Sequence, residues 1–71
     1  KILKNNFISI AIYDLIGNRI KLLFNGYKNA GEYVISWDGK NENNIPVSAG
    51  LYLFSIQSGE FKNMKKMLLL K

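Results

Sequence analysis

The stretch Gly31-Glu32-Tyr33-Val34-Ile35-Ser36-Trp37-Asp38-Gly39 constrains the fold of this chain more than any other. Tyr33, Ile35 and Trp37 alternate with Glu32, Val34 and Ser36, the period-2 pattern of a half-buried strand. Gly31 and Gly39 bracket it with residues free to adopt positive φ. The segment runs into the only Trp of the sequence and stops at an Asp-Gly turn. Indole buries more apolar area than any other side chain present. The reading is a strand with Trp37 as core anchor.

The flanking segments keep the same period. Phe7-Ile8-Ser9-Ile10-Ala11-Ile12-Tyr13 alternates, with Ile8, Ile10 and Ile12 on the expected core face. Asp14-Leu15-Ile16-Gly17 suits a type I turn, with an Asp carboxylate placed to accept a backbone N–H two residues on. Arg19-Ile20-Lys21-Leu22-Leu23-Phe24 completes a hairpin, with Ile20, Leu22 and Phe24 inward and Arg19 and Lys21 outward. Residues 25–31, rich in Asn and Gly, read as a loop. Leu51-Tyr52-Leu53-Phe54-Ser55-Ile56-Gln57 starts apolar on both faces, as a central strand does. Ser58-Gly59 reads as a tight hairpin turn, and residues 61–71 as the last strand. Ahead of all these, Ile2-Leu3 reads as the tail of a strand. The sum is about five antiparallel strands with no helical period, which predicts an all-β sandwich or small barrel in one domain over 1–71.

Composition removes most chemistry. The chain has 71 residues and neither Cys nor His. Disulfides and thiolate metal sites are therefore excluded, and the commonest general base and metal ligand are missing. Its five acids fall at turns and strand ends rather than in pairs. That leaves nothing to build a nucleophile–base pair or a carboxylate dyad, so no enzyme activity and no cofactor are expected. Asp14 reads as a turn residue rather than a catalytic carboxylate.

The polar stretch 38–50 offers oxygens from Asp38, Asn41, Glu42, Asn43 and Asn44, the ligand type that Ca²⁺ prefers. Calcium-loop spacing is absent, because Asn43 stands where Gly is needed and Ala49 where the bidentate Glu belongs. A solvated loop without metal is expected, and Pro46 marks it as non-strand or edge.

The net charge of +5 comes from scattered Lys and Arg, with one Lys pair and no long run. Solvated strand faces account for it better than an anionic partner. An oligonucleotide-binding barrel would cluster aromatics on an exposed face. Tyr33, Trp37, Tyr52 and Phe54 share the inward register instead, so no nucleic acid is expected. No apolar run reaches the roughly 20 residues of a membrane helix.

Taken together, five blocks resemble one family. They are Ile12-Tyr13-Asp14-Leu15-Ile16-Gly17-Asn18, Ala30-Gly31, Trp37-Asp38-Gly39, Ser48-Ala49-Gly50-Leu51-Tyr52 and Lys65-Lys66-Met67-Leu68-Leu69-Leu70-Lys71. In that order and spacing they look like the type A C-terminal sorting domain of type IX secretion substrates. This group is related to the immunoglobulin-like domain of flagellar hook-capping proteins. Tyr-Asp-x-x-Gly and Trp-Asp-Gly are shared by both groups, and the Lys-Lys-Met-Leu-Leu-Leu-Lys ending points to sorting. Family members usually begin with a Pro-Asn-Pro-like strand and a second strand. The resemblance therefore implies an immunoglobulin-like antiparallel β-sandwich, N-terminally incomplete in this chain. Asn18 stands where members often carry Arg.

What the resemblance implies about function is non-catalytic. The domain would direct an upstream cargo across the outer membrane to the medium or cell surface by way of the periplasm. Its partners would be the outer-membrane type IX machinery, a surface peptidase and the cargo domain of the same chain. Lys65, Lys66, Met67, Leu68, Leu69, Leu70 and Lys71 would be the sorting or docking strand. Tyr13, Asp14, Gly17, Gly31, Trp37, Asp38, Gly39, Gly50 and Tyr52 would be structural. The alternative is an immunoglobulin-like assembly module of the hook-capping kind, with no sorting role.

Overall fold

The computed structural model describes residues 6–29 and 31–70. The expected strand tail at Ile2-Leu3 lies outside them. Four strands form: β1 (Asn6–Tyr13), β2 (Arg19–Lys28), β3 (Gly50–Ser58) and β4 (Phe61–Leu69). They make one open sheet in the order β2-β1-β3-β4, with every neighbouring pair antiparallel. Two local hairpins, β1–β2 and β3–β4, are thus joined along a β1–β3 seam.

The hairpin turns follow from their residues. Gly17 donates its N–H to the Asp14 carbonyl at 3.2 Å, closing a four-residue turn where one was expected. Gly17 then takes φ 95°, which a side chain at that position would resist. Asp14 Oδ1 accepts the N–H groups of Ile16 at 3.1 Å and Asn18 at 2.8 Å, and Asn18 Nδ2 donates to Asp14 Oδ2 at 3.2 Å. In the second hairpin Ser58 pairs with Phe61, leaving Gly59 and Glu60 as a two-residue loop.

β1 is central, and its alternation decides where the core lies. Ile8, Ile10 and Ile12 are almost wholly buried, at 0%, 2% and 0% exposure. Direct pairing puts Phe24 of β2, Phe54 and Ile56 of β3, and Lys65 of β4 on the same face. The opposite face has small residues at its centre, Ala11 and Ser55, and exposes Phe7, Tyr27, Leu51, Met64 and Leu68.

β2 departs from its expected form in two ways. It runs on through Asn25-Gly26-Tyr27-Lys28, which pair with Ser9, Ile8, Phe7 and Asn6. The long ladder of β1 outweighs the local turn preference of Asn and Gly. Register also shifts twice, leaving Ile20 and Leu23 as extra residues, so Lys21 rather than Leu22 stands opposite Ile12. The simple inward set Ile20, Leu22, Phe24 is broken there.

Apart from a single bridge at Gly31, the stretch 31–39 joins no ladder among the described residues. It belongs to the connection between β2 and β3, whose residues 31–49 lie over the Ile8–Ile10–Ile12 face. Near its start, the Lys28 ammonium sits 4.3 Å from the Phe24 ring centre and 4.2 Å from that of Tyr33. Trp37 then reaches Tyr52 on β3, and Gly39 reaches Leu69 on β4. Glu42 returns to β2, donating its N–H to the Ile20 carbonyl at 3.2 Å. Because residues 32–39 pass over a face rather than beside an edge, they form no strand ladder among the described residues. Its alternation nevertheless holds in part, with Ile35 and Trp37 half-buried and Glu32, Val34 and Ser36 exposed. Tyr33, expected inward, is exposed, and its hydroxyl donates to the Asn29 carbonyl at 2.6 Å. Trp37 is part of this cover, half-buried, and the deepest core belongs to the β1 isoleucines.

Candidate functional site: the β4 edge and its flanking groove

Among the described residues β4 is an outer strand, the last in the sheet order. Its residues alternate between the two faces. Lys65, Met67 and Leu69 pair with Phe54, Tyr52 and Gly50 on the covered side. Lys62, Lys66 and Leu68 pair with Gln57, Leu53 and Leu51 on the other. Met67 and Leu69 are half-buried, whereas Lys62, Lys65, Lys66, Leu68 and Leu70 are exposed. Lys71 lies outside the described residues. Among the described residues these lysines have no carboxylate partner, and no backbone hydrogen bond beyond the β3 ladder reaches β4.

The other outer strand is capped at Ile20 and Leu22. Glu42 Oε2 accepts the Leu22 N–H at 3.0 Å while the Glu42 N–H donates to Ile20. One residue of the connection thereby supplies the donor and acceptor that an adjoining strand would. Arg19 Nε lies 3.9 Å from the same carboxylate oxygen. Nothing local in the sequence marks Glu42 for this role, which depends on residues some twenty positions earlier.

Several residues expected to be structural converge beside β4. The Trp37 and Tyr52 rings meet edge to face, with centroids 5.1 Å apart and planes at 72°. Trp37 Nε1 donates to the Lys40 carbonyl at 2.9 Å, and the Tyr52 hydroxyl donates to the Ser48 carbonyl at 2.6 Å. Each ring thus buries apolar area while its polar atom is satisfied. Gly39 is buried at φ 79°, and a Cβ there would lie 3.4 Å from a Leu69 methyl. Asp38 Oδ1 accepts the Lys40 N–H at 3.0 Å, and Val47 donates to the Gly39 carbonyl at 2.9 Å. Gly50 opens β3 opposite Leu69. Gly31 takes φ 153° at the start of the cover, with the Tyr33 ring beside it. Tyr13 ends β1, sharing a cross-sheet row with Leu53 and Lys66 on the other face. Asp14 and Gly17 stay within their own turn.

The 38–50 segment is more ordered than a simple solvated loop. Lys40 and Pro46 form an isolated bridge, Asn41 Oδ1 accepts the N–H groups of Asn43 and Ile45, and Asn44 takes φ 63°. The oxygens of Asp38, Asn41 and Glu42 therefore face backbone donors.

Between residues 35–37 and β4 runs an open groove of about 410 Å³, walled by Ile35, Trp37, Phe54 and Met67 with Lys65 and Lys66 alongside. The alternation of the 31–39 stretch placed Ile35 and Trp37 on one face but gave no sign of this groove.

No curated protein and no solved structure matches the chain. The family model for the FlgD Ig-like domain matches residues 5–60, from the start of β1 to the turn before β4. An all-β antiparallel domain with this match belongs to the FlgD Ig-like domain family.

Proposed function

We propose that the domain is a non-catalytic export address, a type IX sorting module whose strand β4 is read by the outer-membrane machinery. The observation that carries the reading is the asymmetry of the two outer strands. Glu42 caps the β2 edge at Ile20 and Leu22, while among the described residues β4 has no backbone partner on its outer side and exposes Lys62, Lys65 and Lys66. An open strand edge can gain a partner strand, and its charges steer the encounter. On this reading the partners are the translocation machinery, a surface peptidase and an upstream cargo domain. The destination is the medium or the cell surface, reached through the periplasm.

Export of a fluorescent cargo fused ahead of the domain, behind a signal peptide, tests the proposal in a bacterium with type IX secretion. The full fusion should reach the surface or medium, and a fusion lacking residues 65–71 should stay in the periplasm. A strain without the translocon should retain both. Equal export of the two fusions would make β4 merely structural.

A second reading is an immunoglobulin-like assembly module without a sorting role. It is favoured by the family match ending at residue 60, just before β4. Failure of both fusions to leave the periplasm would select it.

A further inference from the structure

We propose that the groove beside β4 is a binding site for an extended acidic peptide segment with an apolar anchor, which adds to the sheet as a strand next to β4. The proposal deepens the docking part of the export reading by naming the chemistry of the partner.

Three observations point to that occupant. The first is the groove itself, whose walls Ile35, Trp37, Phe54 and Met67 are all half-buried. Half-exposed rings and a thioether beside a groove can bury an incoming apolar side chain without rearrangement. The second is the β4 edge, which has no backbone partner on its outer side among the described residues. An added strand would place alternate side chains over the groove while its backbone pairs with β4.

The third is charge. Lys65 lies on the groove side of β4 and Lys66 on the other, so carboxylates on either face of the added strand would meet an ammonium. Neither lysine forms an ion pair among the described residues. The same charge argues against a second copy as occupant. Antiparallel pairing of β4 with β4 would set Lys62, Lys65 and Lys66 against themselves, in a protein already carrying +5. Like charges across a strand pair are destabilising.

The test uses the full chain and its single Trp. A capped peptide of about nine residues alternating Asp and Leu is titrated while Trp37 emission is followed. Peptides alternating Lys with Leu and Asp with Ser serve as comparisons. The Asp/Leu peptide should shift the emission to the blue and saturate, with the other two at least about tenfold weaker. Its affinity should fall as salt rises from about 50 to about 300 mM. The doubly reversed variant Lys65→Glu/Lys66→Glu should lose the Asp/Leu peptide and gain the Lys/Leu one. Both side chains are exposed, so its circular dichroism should match the parent. Equal binding of Asp/Leu and Lys/Leu would overturn the proposal, as would a null response in both fluorescence and calorimetry. Tight binding of the Asp/Ser peptide would overturn the apolar anchor. Peptide binding without cargo export overturns the address alone, and export without peptide binding overturns this inference alone.

Discussion

The Glu42 carboxylate accepts the Leu22 N–H at 3.0 Å, so a side chain from a distant loop occupies the place of a sheet neighbour. Its removal should be felt at the β2 edge. Glu42→Ala should cost about 0.5–1.5 kcal/mol in urea unfolding and increase self-association in light scattering. Glu42→Gln keeps an acceptor oxygen and should lose less. An unchanged midpoint and molar mass for the alanine variant would show the contact to be idle.

Trp37 and Tyr52 hold the cover to the sheet through their rings and separately through two carbonyls. Trp37→Ala should cost about 2–4 kcal/mol, since the side chain is half-buried rather than enclosed. Tyr52→Phe leaves the Ser48 carbonyl without its donor and should cost about 1 kcal/mol. With Tyr52→Ala in place of the phenylalanine variant, a double-mutant cycle should return a coupling of about 0.5–1.5 kcal/mol. Additive losses would mean that the edge-to-face contact carries no energy of its own.

Gly39→Ala combines two penalties, a positive φ and a Cβ close to the Leu69 methyls. The expected loss is about 1–2 kcal/mol, read from the thermal midpoint. Leu69→Ala in the same background removes the steric part only. Full recovery on adding Leu69→Ala would assign the whole penalty to crowding and none to the backbone.

Asp14 serves two backbone donors and the Asn18 amide from one carboxylate. Asp14→Ala should destabilise by about 1–2 kcal/mol. Asp14→Asn retains an acceptor for the backbone and should lose less. Equal losses for the two would show that charge, rather than acceptor geometry, holds the turn.

Calcium should not stabilise the 38–50 segment, whose Asp38, Asn41 and Glu42 oxygens accept backbone N–H groups. Millimolar Ca²⁺ against chelator should move the thermal midpoint by less than about 1 °C. A clear rise would mean that these oxygens turn from the backbone to an ion.

Much of the sheet was legible because its signals are local. Ile8, Ile10 and Ile12 alternate without interruption, and Asp14 and Gly17 sit at the positions their turn requires. Register in β2 was not legible, because Ile20-Lys21-Leu22-Leu23-Phe24 is nearly continuously apolar and tolerates a slip at small cost. For 31–39, period-2 burial told which side chains face inward. It is silent on whether a backbone lies alongside, and here the partner is a sheet face. At the candidate site, the exposure of Lys65 and Lys66 was readable, but the groove was not. That groove needs Ile35 and Trp37 to arrive from a connection whose path only the tertiary structure determines.

The path of residues 31–49 over the sheet also bears on the order of events in folding. Each hairpin closes a short loop and can form in about 1–10 μs without the other. The β1–β3 seam instead joins Ile10 to Ile56, nearly opposite ends of the described chain, and must await a much larger closure. Trp37 and Tyr52 both lie inside that closure, and their contact fixes the connection to β3. The fluorescence of the single Trp therefore reports when the cover settles on β3, while backbone circular dichroism follows the pairing of the strands.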